Sequence, residues 1–298
     1  MGIGYLGARL LWDAKRSGVC FDEVLTLGRQ SLRLFPSEVS FFQREYRQHY
    51  GVSPASLDNY RWGDYLDGFL RDFMEAKSIT VLDASPYQGA DTIHDMNEPV
   101  PESWHSRYDS VIDGGSLEHI FDISTSFANL ADMLKVGGTI FTNSPANNLM
   151  GHGFYQFSPE FMFRVFSSEN GFQIDHVMLY EARYPGVELT KKSTIYSVVD
   201  PNQVRQRVGL LNKKPVMMMV QAKKIDHVKM FSQPPLQSDY VTTWGSGASS
   251  QPPSLRLRLK DLIKRMPLAL RAPIEGARQK RKFSFSNSSF YLRERWRP

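Results

Sequence analysis

Residues 108–145 read as a single strand, helix, strand unit. The run YDSVID (108–113) is short, apolar and β-branched, and it stops at Gly114 and Gly115. Phe127, Leu130, Met133 and Leu134 then recur at helical spacing, and Gly137 and Gly138 punctuate that segment before TIFTNSP (139–145). Short strands buried on both faces and joined by crossover helices pack as a parallel sheet.

The flanking segments repeat the alternation. Leu6, Leu10 and Leu11 lie at helical spacing ahead of the strand-like DEVLTLG (22–28). Pro36, Ser37 and Glu38 open an amphipathic helix carrying Val39, Phe41, Phe42 and Tyr46 and ending at Gly51. A second helix is expected over 60–77, strands over 78–85 and 91–97, and a helix from Ser158, Pro159 and Glu160. Two late strands, 172–182 and 214–224, are separated by a long excursion, which suggests an antiparallel edge. The expected fold is therefore α/β, a doubly wound and mostly parallel sheet with helices on both faces.

At 298 residues and 41% apolar composition the chain can fill one large core. The single cysteine, Cys20, allows no intrachain disulfide and no thiolate metal cluster, which favours a reducing, cytoplasmic setting. No apolar run approaches the roughly 18 residues of a membrane span. Of the net charge of +5, residues 254–298 hold +10, with 13 Lys/Arg against 3 Asp/Glu, so the basic character belongs to a tail. The expected division is a main domain over 1–231, a Pro/Gly/Ser-rich linker over 232–254 and a basic tail over 255–298. In SLRLRLKDLIKRM (254–266) the apolar positions share one helical face amid basic residues, suiting either an anionic membrane surface or docking onto protein. Arg and Lys interleave with aromatic residues nearer the end, a pattern of nucleic-acid binders and of solvated tails alike.

YDSVIDGGSLEHIFD (108–122) with LADMLKVGGTIFTNSP (130–145) resembles the fourth strand, following helix and fifth strand of class I S-adenosylmethionine-dependent methyltransferases. IHDMNEPVP and SPANNLMGHGFYQFSPE are similar to a little-characterised bacterial branch of that family. The resemblance spans residues 3–225. It implies a seven-stranded Rossmann-like sheet, S-adenosylmethionine as cofactor, and methyl transfer to an oxygen or nitrogen of a small-molecule or glycan-type acceptor. Asp83 matches the acid that holds the ribose hydroxyls, and Asp95 with Met96 matches the contacts to adenine. Asp113 and Gly114 match the methionine end, where a bare backbone permits close approach.

The first strand departs from the family. Its LTLGRQS has Gly28 alone, followed by Arg29, which either pairs with the cofactor carboxylate or fills the pocket. Asp83 and Asp95 also suit Asx turns. Glu118 reads as a helix-start residue behind a capping Ser116, and His119 as a group beside the transferring methyl, either a proton acceptor or structural. The loop 147–157 follows the fifth strand, where Gly151 and Gly153 suit a lid and His152, Tyr155 and Gln156 are candidate substrate contacts. A metal pair of His152 with Glu118 has no ligand spacing behind it, and no metal is expected. Two other classes compete. A nicotinamide oxidoreductase lacks its G-x-G-x-x-G turn here, whereas a catalytically silent binding or scaffolding module on the same fold suits the degenerate first loop.

Overall fold

The computed structural model describes residues 2–182, 193–238 and 266–294. Two compact units divide the chain: residues up to 197 with 214–235 and 293–298, and a second unit of 198–213 with 236–292. The first unit opens with β1 (Gly2–Gly4), α1 (Tyr5–Arg16), β2 (Glu23–Leu27) and β3 (Ser31–Arg33). Then come α2 (Pro36–Tyr50), the one-turn α3 (Ala55–Asp58), α4 (Asp67–Phe73), β4 (Ser78–Asp83), β5 (Thr92–Ile93) and β6 (Tyr108–Asp113). They are followed by α5 (Ile123–Met133), β7 (Leu134–Asn147), α6 (Pro159–Val165), β8 (Phe172–Glu181), β9 (Ile195–Val198) and β10 (Val216–Lys224).

Among the described residues the main sheet is mixed and carries nine strands, not seven. Eight of them run in the order β9-β8-β10-β7-β6-β2-β4-β5, and the ninth is β11 (Tyr291–Arg293). β5, β4, β2, β6 and β7 are parallel. The antiparallel strand expected at an edge is interior: β10 pairs antiparallel with both β7 and β8. Its run from Val216 to Ala222 is buried throughout, which a strand with a neighbour on each side allows and a solvated edge does not. Successive strands leave β2 in opposite directions, β4 and β5 to one side and β6 and β7 to the other. The gap between β2 and β6 is thus the topological switch point of a Rossmann-like, doubly wound sheet.

Aromatic residues of α1, α2 and α4 build one covering layer. Trp12 meets Phe73 edge-on at 5.3 Å, and Phe42 meets Phe69 likewise at 5.3 Å. This cluster continues into Val24, Ile112 and Phe141 of the sheet. A second aromatic group gathers Phe127 of α5 with Phe157, Phe161 and Phe166. The helix expected over 60–77 shortens to α4, because residues 60–66 instead fold back onto the β3 region: Leu32 donates to Asp64 O, and Leu66 to Gln30 O. Only Thr92 and Ile93 form the strand expected over 91–97.

In the second unit the helix Leu268–Lys282 forms despite Pro273 in its interior. The amphipathic stretch 254–266 lies outside the described residues, Met266 excepted. Among the described residues, no helix is long and apolar enough to cross a membrane.

Candidate functional site

Register brings three strand ends together at the switch point. Leu27 of β2 is level with Leu82 of β4 and with Asp113 of β6. Gly28 follows with φ of +65°, in the left-handed region, and its N–H bonds Leu82 O at 2.7 Å. The chain then turns inward. Gln30 is 1% exposed, and its amide nitrogen donates back to Leu27 O, which also accepts from Ser116 Oγ at 2.8 Å. Gln30 Oε1 is left buried without a partner. A Cβ at Gly114 would run into that oxygen and sit 2.9 Å from Ile3 Cδ1, so the Gln30 and Ile3 side chains would have to shift to admit one.

Asp113 is equally buried, at 1% exposure. One carboxylate oxygen accepts from Ser116 N–H at 2.7 Å and Gly115 N–H at 3.3 Å, and the other, Oδ2, has no partner. Burial pushes the carboxyl up to about 6, against the pull of the backbone donors from Ser116 and Gly115. Asp113 also lines a cavity of about 10 Å³ with Ile3, Gly7, Thr142 and Asn143, about the volume one water needs.

The other residues expected at a cofactor are placed less directly. Arg29 is committed elsewhere: it pairs with Asp67 at 2.9 Å, bonds Gln88 O at 3.3 Å and lies over the Tyr65 ring at 4.5 Å. Asp83 and Asp95 close Asx turns at the ends of β4 and β5. Asp83 Oδ1 accepts from Ser85 N–H at 3.2 Å; Asp95 Oδ1 accepts from Asn97 N–H at 2.9 Å and from its side-chain amide at 2.7 Å. The Asn97 donors hold the Asp95 carboxyl below its ordinary value. Met96 is a core residue, 3% exposed, and its carbonyl accepts from Ser126 and Asn129.

Beyond β6 the helix does not start at Ser116. Residues Leu117–His119 form a single 3-10 turn with no side-chain cap, because the Ser116 hydroxyl is spent on Leu27 O. The helix begins at Ile123, capped by Asp122, whose carboxylate accepts from Thr125 N–H at 3.0 Å. Glu118 is therefore no first-turn residue complementing a helix dipole. Its side chain is fully buried, and neither carboxylate oxygen accepts a hydrogen bond. Burial, then the charge of Asp113, pushes this carboxyl up to about 8.

The loop after β7 brings the remaining candidates to Glu118. His152 Nε2 lies 3.5 Å from Glu118 Oε1, and the His119 and His152 rings are 5.2 Å apart. Burial, followed by His152, lowers the His119 imidazole. The loop is docked rather than open: Phe154 N–H bonds Glu118 O at 2.7 Å, Tyr155 OH bonds Phe121 O at 2.6 Å, and Leu149 N–H bonds Gln156 Oε1 at 2.8 Å. Gly153 has φ of +77°, and a Cβ there would stand 2.6 Å from Glu118 O. The structure thus unites His119 and His152 around Glu118, with Tyr155 tied to Phe121 close by. Gln30 and the burial of Glu118 were invisible in sequence, since neither spacing nor hydropathy marks a polar side chain that tertiary packing encloses.

No family model and no curated protein matches the chain. Many of the solved structures that do match are S-adenosylmethionine-dependent methyltransferases, at low identity. The trans-methyltransferase CalH in complex with SAH is 12% identical, with 73% of this chain covered and a TM-score of 0.37; the chain spans only 55% of CalH. An S-adenosylmethionine-dependent methyltransferase from Mesorhizobium loti is 16% identical, covering 74% of this chain and 100% of its own at a TM-score of 0.35. The 1,6-didemethyltoxoflavin-N1-methyltransferase of Burkholderia thailandensis, bound to 1,6-didemethyltoxoflavin and S-adenosylhomocysteine, is 11% identical, with 74% and 78% covered and a TM-score of 0.38. Likeness of this degree assigns neither a reaction nor a ligand to this chain.

Proposed function

We propose that the chain is an S-adenosylmethionine-dependent methyltransferase acting on an oxygen or nitrogen of a small-molecule or glycan-type acceptor. One observation carries the reading: two buried acceptors, Gln30 Oε1 and Asp113 Oδ2, stand next to Gly114 at the strand switch with no hydrogen-bond partner. Each such group costs about 1–3 kcal/mol while unsatisfied. The ammonium of an amino-acid moiety brings three donors and a positive charge, which is what two acceptors and a buried carboxylate lack. Asp83 and Asp95 use one oxygen each in their turns, which leaves the second for ribose hydroxyls and an adenine amino group. Arg29 is paired with Asp67, which competes with a role in holding the cofactor carboxylate.

Bound there, S-adenosylmethionine would supply an electrophilic methyl on a sulfonium. The protein's contribution is alignment: His119, His152 and Tyr155, beyond the end of β6, position the acceptor for in-line attack. The folded-back Gln30 and the Arg29–Asp67 pair favour a second reading, a catalytically silent module on the same fold. Calorimetry of the intact protein with S-adenosylmethionine separates the two. Micromolar binding, weakened in Asp83→Ala and in Asp95→Ala, supports the enzyme. No heat at millimolar cofactor overturns it in favour of the silent module.

A further inference from the structure

We propose that Glu118, His119 and His152 form a binding site for a divalent transition-metal ion of the zinc class. One ligand atom from each of the three residues lies within 4.8 Å of the others. The Glu118 Oε1 to His152 Nε2 distance of 3.5 Å matches the edge of a tetrahedron around zinc, about 3.4 Å for ligand bonds of about 2.1 Å. Two imidazoles and one carboxylate form a donor set that suits Zn²⁺ or Fe²⁺ rather than Mg²⁺ or Ca²⁺, which take oxygen ligands.

Glu118 supplies the independent observation. Its side chain is wholly buried and neither oxygen has a hydrogen-bond partner, yet one of them faces an imidazole nitrogen. A buried carboxyl without a partner is either held neutral or, once ionised, kept by a paired charge or a metal. The His152 side chain is 45% exposed and His119 is exposed as well, so an ion held here would keep a coordination position open to solvent, as three-ligand zinc sites do.

The backbone holds this arrangement in place. His119 N–H bonds Ser116 O at 3.0 Å in the 3-10 turn, and His152 N–H bonds Leu149 O at 3.0 Å. Gly153 then lies against the Glu118 carbonyl, where no side chain fits. Two segments more than thirty residues apart are thereby held ligand to ligand, so sequence spacing carries no sign of the site. The proposal rests on this ligand geometry alone and does not depend on the methyl-transfer reading.

The test is titration of intact, metal-stripped protein with zinc chloride by calorimetry, and with cobalt chloride by visible absorption. The expected result is one ion per chain, with cobalt bands of a low-coordinate nitrogen and oxygen site. His152→Ala, His119→Ala and Glu118→Gln should each weaken binding roughly 100-fold. Both histidines are exposed, so their variants should keep the wild-type circular dichroism spectrum even if Glu118→Gln misfolds. His227→Ala, an exposed imidazole outside the cluster, should bind as wild type. Absence of uptake by the wild-type protein overturns the proposal, as does stoichiometric binding that His119→Ala and His152→Ala leave intact.

Discussion

Gly153→Ala should undock the loop that carries His152 without unfolding the domain. Two costs add. An L-residue held at φ of +77° loses about 1–2 kcal/mol. The new Cβ would also sit 2.6 Å from Glu118 O, a backbone atom fixed by its own turn, so the loop must move instead. Movement breaks the Phe154 N–H bond to Glu118 O at 2.7 Å and the longer Tyr155 bond to the same oxygen at 3.3 Å, about 1 kcal/mol each. Docking should weaken by about 3 kcal/mol, which raises the open population roughly 100-fold. Hydrogen exchange read by mass spectrometry or NMR measures it directly: the Phe154 amide should exchange about 100-fold faster, while amides of Met218 and Val220 in β10 keep their protection. Gly151→Ala is the control, because φ there is +87° but nothing lies within 4 Å of a Cβ, so only the backbone cost applies. Unchanged protection at Phe154, or equal losses in β10, would refute the steric argument.

The Asp113 carboxyl sits at about 6 in the folded protein against an ordinary 3.8, so the stability it contributes is whole below about pH 4 and lost as pH rises through 6. In cofactor-free protein, urea unfolding should therefore show wild type losing on the order of 3 kcal/mol relative to Asp113→Asn between pH 4 and pH 7; parallel stabilities at both pH values sink the assignment. If an ammonium group is recognised there, S-adenosylmethionine should bind more tightly at pH 7 than at pH 5, since the carboxyl ionises in between, and calorimetry at the two values decides. Lys224, 2% exposed, donates to Ala131 O at 2.7 Å and Leu134 O at 2.9 Å at the end of α5. Lys224→Met removes both bonds from a buried site and should cost about 2–4 kcal/mol in the same unfolding assay, whereas an unchanged midpoint would show those bonds to be dispensable.

Local pattern determined the elements whose signals are local. The β-branched run at 108–113 and the helical spacing from Phe127 to Met133 marked β6 and α5 nearly to their ends, because burial on both faces and crossover connections impose those periods on any parallel sheet; β7, expected over 139–145 behind a two-glycine break, instead starts at Leu134 and carries Gly137 and Gly138 inside it. The same pattern placed Asp83, Asp95 and Asp113 at strand ends. Sequence could not say that β10 lies inside the sheet, since strand order is a choice among long-range pairings that leave similar hydropathy. It could not show that Gln30 turns inward or that Arg29 is spent on Asp67, 38 residues away. Nor could it distinguish a first-turn Glu118 from a buried one. That distinction depends on which partner Ser116 Oγ takes, and on a loop 34 residues further on delivering His152 to the same carboxylate. Periodicity reports which face of an element is covered, while tertiary structure decides which polar groups are enclosed with it, because enclosure depends on contacts between segments that share no period.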